Sequence, residues 1–136
     1  MDRLQELVSQ KAKIKYPGYK LPTLKEIEDV EDVLSLQLPP IFKEFLIKYS
    51  NYLYGNKEIF DTDKESSSYI VKNLYHARAK LLLPEYLIPF VRDNGDYFCF
   101  DYRSSQEDKP VVFWSHDEGE TEEEWGSFTK WFKDVI

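Results

Sequence analysis

The stretch that decides the fold is residues 87–102, with the sequence LIPFVRDNGDYFCFDY. Two apolar runs flank Asn94-Gly95, a pair that readily takes the positive φ angles of a tight hairpin turn. The pattern predicts two antiparallel strands, Leu87 to Arg92 and Asp96 to Tyr102. Successive side chains of a strand point to opposite faces of the sheet. This alternation assigns each side chain of the second strand to one of two faces. One face carries Phe98, Phe100 and Tyr102, and the other carries Tyr97, Cys99 and Asp101.

The residues after this hairpin predict one more strand and a final helix. Pro110 to His116, PVVFWSH, is the third predicted strand. We expect an acidic loop at Asp117 to Thr121. Glu122 to Glu124 then favour the start of a helix, because negative charge is stabilised at the positive end of a helix dipole. The buried stripe of this helix comprises Phe128, Trp131, Phe132 and Val135.

The half before the hairpin has helical periodicity. Apolar residues predict a first helix over residues 2 to about 14. Thr23 and Glu26 match a capping box at the start of a second helix. Pro40 suits the first position of a third helix, because its missing N–H would be unpaired there in any case. The apolar residues of a fourth helix are Ile70, Leu74, Ala77 and Leu81.

Between Tyr52 and Ser68 the periodic signal weakens. We expect a short strand at Lys57 to Phe60 and a polar loop at Asp61 to Ser68. Neither segment shows a catalytic or metal-binding motif, so the sequence assigns this region no function.

Length and composition indicate a single domain over residues 1–136. The chain is 42% apolar and 16% aromatic, which supplies a core without disulfides or metal. We find no internal repeat, linker or low-complexity segment. Helices on either side of an antiparallel hairpin region predict an α+β fold, with roughly three to six strands and helices at both ends packed on the sheet.

Cysteine content and the first residues predict the compartment. Cys99 is the only cysteine and has no partner for an intramolecular disulfide, as expected in a reducing environment. The chain starts MDRLQE, without an apolar leader, and contains no run of about 18 apolar residues. We therefore expect a cytoplasmic protein that neither enters nor crosses a membrane.

The net charge of −7 is concentrated in one part of the chain. From Asp93 to Glu124, here called the acidic strip, eleven acidic residues face only Arg103 and Lys109. A field of this sign repels phosphate backbones and attracts basic proteins. We therefore expect no direct binding of nucleic acid and a basic protein partner. The oligomeric state is left open.

Three segments occur in a characteristic order along the chain. They are LPPIFKEFL at residues 38–46, GDYFCFD at residues 95–101 and PVVFWSHDE at residues 110–118. In this order, and over residues from about 20 to 135, they resemble the SUKH superfamily of the Smi/Knr type. The chain departs from the family pattern at Ser50-Asn51-Tyr52, where many relatives carry Asn-Gly-Gly.

The resemblance implies a SUKH-like α+β domain and a function in protein binding. In bacteria such domains commonly serve as immunity proteins that neutralise a cognate polymorphic or contact-dependent toxin, often a nuclease. Relatives in eukaryotes act instead as regulatory or scaffold domains that bind an endogenous protein, which is the alternative function. The family has no established shared catalytic residues, so the resemblance implies none in this chain.

The candidate partner-binding residues come from the acidic strip and its aromatic neighbours. Charge pairs across an interface speed association, and aromatic anchors often dominate affinity. Tyr97 and Trp114 are interpreted either as partly exposed anchors or as residues packed in the core, and the exposure of the strand face that carries Trp114 is left open. The full predicted set is Asp93, Asp96, Tyr97, Asp101, Tyr102, Trp114, His116, Asp117, Glu118 and Glu120.

Other chemistry receives little support from the sequence. His116 beside Asp117 and Glu118 lacks the spaced ligands of a zinc site. Cys99 lies between large aromatic residues, where a buried and inert thiol is expected. Phosphate-binding loops and activated-serine motifs are missing. We therefore expect no catalytic residue, metal or cofactor, and a small hydrolase or nucleotide-binding protein is the least favoured alternative.

Overall fold

The computed structural model describes residues 2–136, and its elements follow the change of period along the sequence. Within these residues the helices are α1 (Arg3–Lys11), α2 (Leu24–Leu34), α3 (Pro40–Tyr49), α4 (Ile70–Leu81) and α5 (Phe128–Val135). The strands are β1 (Ile14–Lys15), β2 (Tyr52–Leu53), β3 (Glu58–Ile59), β4 (Leu87–Asp93), β5 (Asp96–Asp101), β6 (Val111–Ser115) and β7 (Gly119–Trp125).

The strands form two antiparallel sheets. β1 pairs with β2, and the other five strands form one sheet in the order β3-β4-β5-β6-β7. This larger sheet is a meander, in which each strand pairs with the next one along the chain. Helices α1 to α3 precede it, α4 connects β3 to β4, and α5 follows it. The predicted α+β class is therefore confirmed, and the fold is one small domain.

The hairpin at the centre of the sheet forms where the sequence predicts it. Asn94 and Gly95 have φ angles of 53° and 85°, and Asp93 faces Asp96 across the turn. Both turn residues lie in the left-handed region, which Asn and Gly tolerate better than other residues. The register shifts between Pro89 and Val91, so β4 carries a local bulge.

The core is an aromatic cluster between one sheet face and the helices. The rings of Phe90 and Phe100 stack with centroids 4.1 Å apart, and the ring of Phe42 from α3 meets Phe100 edge-on at 5.1 Å. Trp131 from α5 lies 4.9 Å from Phe90. Such offset and edge-on pairs stabilise a core beyond the area that they bury. β5 is buried on both faces, since its residues from Tyr97 to Asp101 are all buried.

Local chemistry sets the helix starts. Thr23 Oγ1 accepts the N–H of Glu26, and the Glu26 carboxylate accepts the N–H of Thr23, which confirms the capping box. Pro40 occupies the first position of α3 as predicted. At α5, the side chain of Ser127 accepts the N–H of Lys130 and caps the helix.

The prediction that Glu122 to Glu124 begin the last helix is wrong. These residues belong to β7, and α5 starts only at Phe128. β7 pairs with β6 through Val112 and Glu124 and through Trp114 and Glu120, so residues 121–123 lie opposite a single residue. This bulge contains two glutamates, Glu122 and Glu123, and both are exposed. The pairing with β6 is a tertiary interaction, and it outweighs the helix preference of the acidic run.

The region of weak signal contains more structure than predicted. The short strand expected at Lys57 to Phe60 is present as β3. The first helix ends at Lys11, and residues 14–15 instead form β1, whose residue Ile14 faces Leu53 of β2. This small sheet joins the start of the chain to its middle.

Candidate functional site

The acidic strip contains two separate clusters. At the first, the two hairpin turns of β4–β5 and β6–β7 meet. The Asp96 carboxylate accepts the backbone N–H of His116 at 3.0 Å, and the same oxygen lies 2.6 Å from the ring Nδ1. Asp117 is 3.4 Å from Nε2 on the other side of the ring. The hydrogen bond with Asp96, and then the charge of Asp117, raise the pKa of His116.

The second cluster is built on Arg103. Its guanidinium donates to both oxygens of Asp101, each at 2.9 Å, and to Glu120 at 2.8 Å. It also lies 4.1 Å above the ring of Tyr86. Asp101 is only 8% exposed. Burial by itself would raise the pKa of Asp101, but the hydrogen bonds and charge of Arg103 outweigh burial and leave that pKa below its usual value.

Tyr97 and Trp114, the candidate aromatic anchors, lie in the core and not at the surface. Tyr97 is 1% exposed and Trp114 is 5% exposed, so the interpretation of them as partly exposed anchors is wrong. They face each other across β5 and β6 with ring centroids 6.3 Å apart. Because this face of the sheet is covered as well, alternation alone could not separate core from surface. Tyr102 donates its hydroxyl to the carbonyl of Gln37, in the loop between α2 and α3.

The structure therefore divides the predicted site. Asp93, Asp96, His116, Asp117 and Glu118 lie at the hairpin turns, whereas Asp101 and Glu120 belong to the Arg103 cluster. Within the acidic strip, the exposed acids that make no ion pair with another described residue lie mostly on the β6–β7 hairpin. They are Glu118, Glu122, Glu123 and Glu124, together with Glu107 in the loop before β6.

A second candidate site, which the sequence did not predict, is a groove of about 730 Å³. Its walls are residues 16–22, residues 52–54 in and just after β2, and residues 57–63 and 66–68 around and after β3. The pairing of β1 with β2 brings the first wall to the second. Concave sites of this size are the usual location of binding sites in proteins.

A buried carboxylate lies in the wall of this groove. Asp61 is 7% exposed and accepts hydrogen bonds from the Ser66 hydroxyl at 2.6 Å and the Asp63 N–H at 3.2 Å. Among residues 2–136 no cation pairs with it. Burial raises its pKa, and its hydrogen bonds only partly oppose that effect. The next residue, Thr62, is 4% exposed, and its Oγ1 has no hydrogen-bond partner.

Two other charged residues of the groove, Lys57 and Glu58, are paired with residues outside it. Arg92 donates to both oxygens of Glu58 at 3.0 Å, and Ser68 donates to Glu58 at 2.9 Å. Lys57 pairs with Asp93 at 3.3 Å, which places the groove next to the β4–β5 turn. These pairs neutralise one another, so the unpaired negative charge of the groove comes from other residues.

Two tyrosines, Tyr16 and Tyr19, also line the groove. Tyr16 and Tyr19 have centroids 5.5 Å apart, and the hydroxyls of Tyr19 and Ser50 are 3.3 Å apart. Burial is the main reason why the pKa of Tyr19 is raised, and the charges of Asp61, Asp63 and Glu26 add to it. These three carboxylates therefore act on the same part of the groove as the Tyr19 hydroxyl.

The described residues offer no evident site for other chemistry. From Asp2 to Ile136, no group of three or more His, Cys, Asp or Glu side chains is placed to hold a metal ion. Cys99 is fully buried, and burial raises the pKa of its thiol, which makes it a poor nucleophile. No helix between Arg3 and Val135 has the length and apolar character needed to span a bilayer.

The groove escaped the sequence analysis because distant segments form it. The sequence predicts a polar loop at Asp61 to Ser68, and residues 16–22 follow the first predicted helix without an element of their own. One signal was present: the run DTDKESSS places acceptors and hydroxyls at the spacing of side chain to backbone turns. Asp63 accepting the N–H of Glu65 is such a turn. That signal predicts an ordered loop but not a groove.

Comparisons with known proteins agree with the resemblance in the sequence. The family model SUKH_5, described as SMI1-KNR4 cell-wall, matches residues 1–136. A solved structure titled "Crystal structure of protein from Pseudomonas syringae pv. tomato" is 32% identical to this chain, with 96% of each chain covered and a TM-score of 0.80. No curated protein matches the chain. The match over the whole length shows that the chain belongs to the SUKH_5 family of SMI1-KNR4 domains.

Proposed function

We propose that this protein is an immunity protein, which binds a basic cognate toxin and neutralises it by covering the surface that the toxin needs. SMI1-KNR4 domains often serve in toxin immunity. The observation that carries the proposal for this chain is the unpaired charge of the β6–β7 hairpin. Glu118, Glu122, Glu123 and Glu124 are exposed there without a cationic partner in the described chain.

The geometry supports a two-step mechanism of binding. Exposed carboxylates on one side of a protein attract a basic partner over several ångströms and raise the rate of association. The two hairpin turns then present Asp96, His116 and Asp117 for short-range contacts. A polymorphic or contact-dependent nuclease is a fitting partner, since a nuclease needs a basic surface for its phosphate substrate. Occupying that surface requires no catalytic residue, and the protein would act in the cytoplasm.

The test is an affinity capture with the tagged protein from its native host, followed by measurement of binding to the captured partner. The charge-reversal variant is Glu118→Lys, Glu122→Lys, Glu123→Lys. A matched control, Glu28→Lys, Asp32→Lys, Asp134→Lys, changes the net charge equally at exposed positions elsewhere. We expect the first variant to slow association at low salt by about tenfold or more and to flatten its salt dependence, because steering depends on local charge.

The outcomes separate the candidate functions. If the captured partner stops growth when expressed alone and growth returns with this protein, the immunity function stands. Recovery of a non-toxic endogenous protein would instead support a regulatory or scaffold domain. If the control variant weakens binding as much as the first, net charge and not the β6–β7 hairpin governs association.

A further inference from the structure

We propose that the groove between residues 16–22 and 57–68 is a second binding site, which accepts an arginine or lysine side chain of the bound protein with Asp61 as the anionic contact. The proposal rests on the proposed function only in taking the occupant from a protein partner. It differs from that function in its location, since it concerns a concave site and not the exposed edge of the sheet.

Asp61 is a buried carboxylate without a counter-ion among the described residues. A buried carboxylate is usually paired with a cation, because removing a charge from water is costly without compensation. Asp61 receives only a hydroxyl and a backbone N–H. One negative charge thus remains without a counter-ion in a wall of the groove. A guanidinium or ammonium group entering the groove would supply it.

Thr62, the residue that follows Asp61, carries an unsatisfied hydroxyl. The Thr62 side chain is buried, lines the groove and has no hydrogen-bond partner for Oγ1. Buried polar atoms are rarely left unpaired in folded proteins, and an exception suggests a missing partner. Arginine and lysine are donors only, with several N–H groups each, so one side chain can serve a carboxylate and a hydroxyl together.

Aromatic side chains also line the groove. Tyr16 is 50% exposed and lines the groove together with Tyr19, whose ring centroid lies 5.5 Å from its own. Electron-rich ring faces attract organic cations, with a preference for guanidinium groups. A site that combines aromatic faces with a carboxylate is suited to a cationic side chain and poorly suited to an anion.

The balance of charge in the groove agrees with this assignment. Glu26, Asp61 and Asp63 make no ion pair in the described part of the chain, and Glu58 is neutralised by Arg92. The lining cations are Lys57, which is paired with Asp93, and Lys20, which is exposed and lies farther than ion-pair distance from every described carboxylate. The groove therefore keeps an excess of negative charge.

The position of the groove fits a partner that already contacts the hairpin turns. The ion pair between Lys57 and Asp93 joins the groove wall to the β4–β5 turn. One protein docked on Asp96 and His116 can therefore reach the groove with an extended segment. Charge complementarity selects the chemistry of that segment, because a basic partner is the kind that the acidic strip attracts.

The test uses a defined probe and needs no identified partner. The peptide acetyl-Gly-Arg-Gly-amide is titrated into the isotope-labelled protein and followed by the shifts of its amide NMR signals. The matched probe replaces arginine with citrulline, which has the same shape but no charge. We expect the arginine peptide to shift residues 16–22 and 57–68 and the citrulline peptide to leave them unchanged.

Variants then assign the contact. We expect Asp61→Asn to weaken binding of the arginine peptide by about tenfold, since a charge-assisted hydrogen bond is lost. Asp63→Asn is at an exposed position, and the amide oxygen of asparagine can still accept the N–H of Glu65. It should weaken binding about two- to threefold, and it keeps the test valid if the first variant does not fold. Asp134→Asn removes one charge at an exposed position near the end of α5 and should leave binding unchanged.

Three results would overturn the proposal. They are equal binding of the two peptides, shifts confined to the β6–β7 hairpin, and unchanged affinity in both groove variants. Each of these leaves the proposed immunity function standing, because that function is tested on the edge of the sheet. Failure of the edge variants would in turn leave the peptide result unaffected.

Discussion

Two carboxylates of this protein are buried to nearly the same degree but have opposite surroundings. Asp101, at the end of β5, has the guanidinium of Arg103 on both of its oxygens. Asp61, just after β3, has only neutral donors. The pKa of Asp101 is lowered, and burial raises that of Asp61. A buried charge with its counter-ion built in stabilises the fold, whereas one without it points to a partner that is still to bind.

The largest effect is expected when the built-in counter-ion is removed. Arg103→Met should lower the free energy of unfolding by about 1–3 kcal/mol, because Asp101 is left buried without its charged donors. Chemical denaturation measures this. Lys25→Met, which breaks an exposed pair with Asp29 on α2, is the control and should leave the stability nearly unchanged, because exposed ion pairs contribute little. Equal losses in the two variants would show that burial of Asp101 has no energetic consequence.

Replacement by asparagine should change the stability of the protein differently at the two carboxylates. At neutral pH, Asp101→Asn should destabilise the protein by about 1–2 kcal/mol, because it loses charged hydrogen bonds to Arg103. Asp61→Asn should cause no loss of stability, since it removes a charge that burial disfavours. Denaturation curves of the two variants beside the parent give the comparison.

The contributions of the two carboxylates to stability should also depend on pH in opposite ways. The stabilisation by Asp101 is present above its usual pKa of 3.8 and is lost as the pH falls through its lowered folded value. The penalty at Asp61 is full above its raised folded pKa and disappears as the pH falls to 3.8. The difference between the two variants should therefore shrink on acidification. A difference that is constant with pH would contradict the assignment.

Asp96 is an intermediate case, because its partner is a cation only when protonated. The pKa of His116, measured by NMR titration, should lie above 6.5 and fall towards that value in Asp96→Asn. Asp117→Asn should lower it less. With a raised folded pKa, the ion pair stabilises the protein below about pH 6.5 and is lost as the pH rises through the folded value. An unchanged pKa in Asp96→Asn would remove Asp96 as the cause.

The smallest effect is expected for acids that are already in water. Replacing Glu122, Glu123 and Glu124 together by Gln should change the free energy of unfolding by no more than about 0.5 kcal/mol, since exposed charges without partners contribute little to stability. Thermal or chemical unfolding checks this. A large loss would mean that these residues hold β7 in place and are not available to a partner.

Much of the fold was predictable because its determinants are local. The Asn94-Gly95 turn and the capping box of Thr23 and Glu26 depend on residues at most three positions apart, and both form as predicted. β7 was mistaken for a helix start because its state depends on pairing with β6, which leaves no mark in the acidic run itself. Pairing across a sheet can override local preference in this way.

The site was less predictable for the same reason. Tyr97 and Trp114 were interpreted either as anchors near the surface or as core residues, because alternation along one strand cannot reveal that the second face of the sheet is also covered. Asp61 became of interest only when residues 16–22 were found beside it. The hairpin turns, in contrast, bring Asp96 and His116 together largely as neighbours along a meander.

The bulge of β7 has a consequence for how copies of this chain meet one another. β7 is the last strand of its sheet, and an unprotected last strand can recruit a strand from another molecule and start aggregation. Here the bulge at residues 121–123 interrupts the regular ladder, and the neighbouring glutamates would oppose their own counterparts in a second copy. The edge at which we propose that a basic protein binds is thereby protected against self-assembly into fibres.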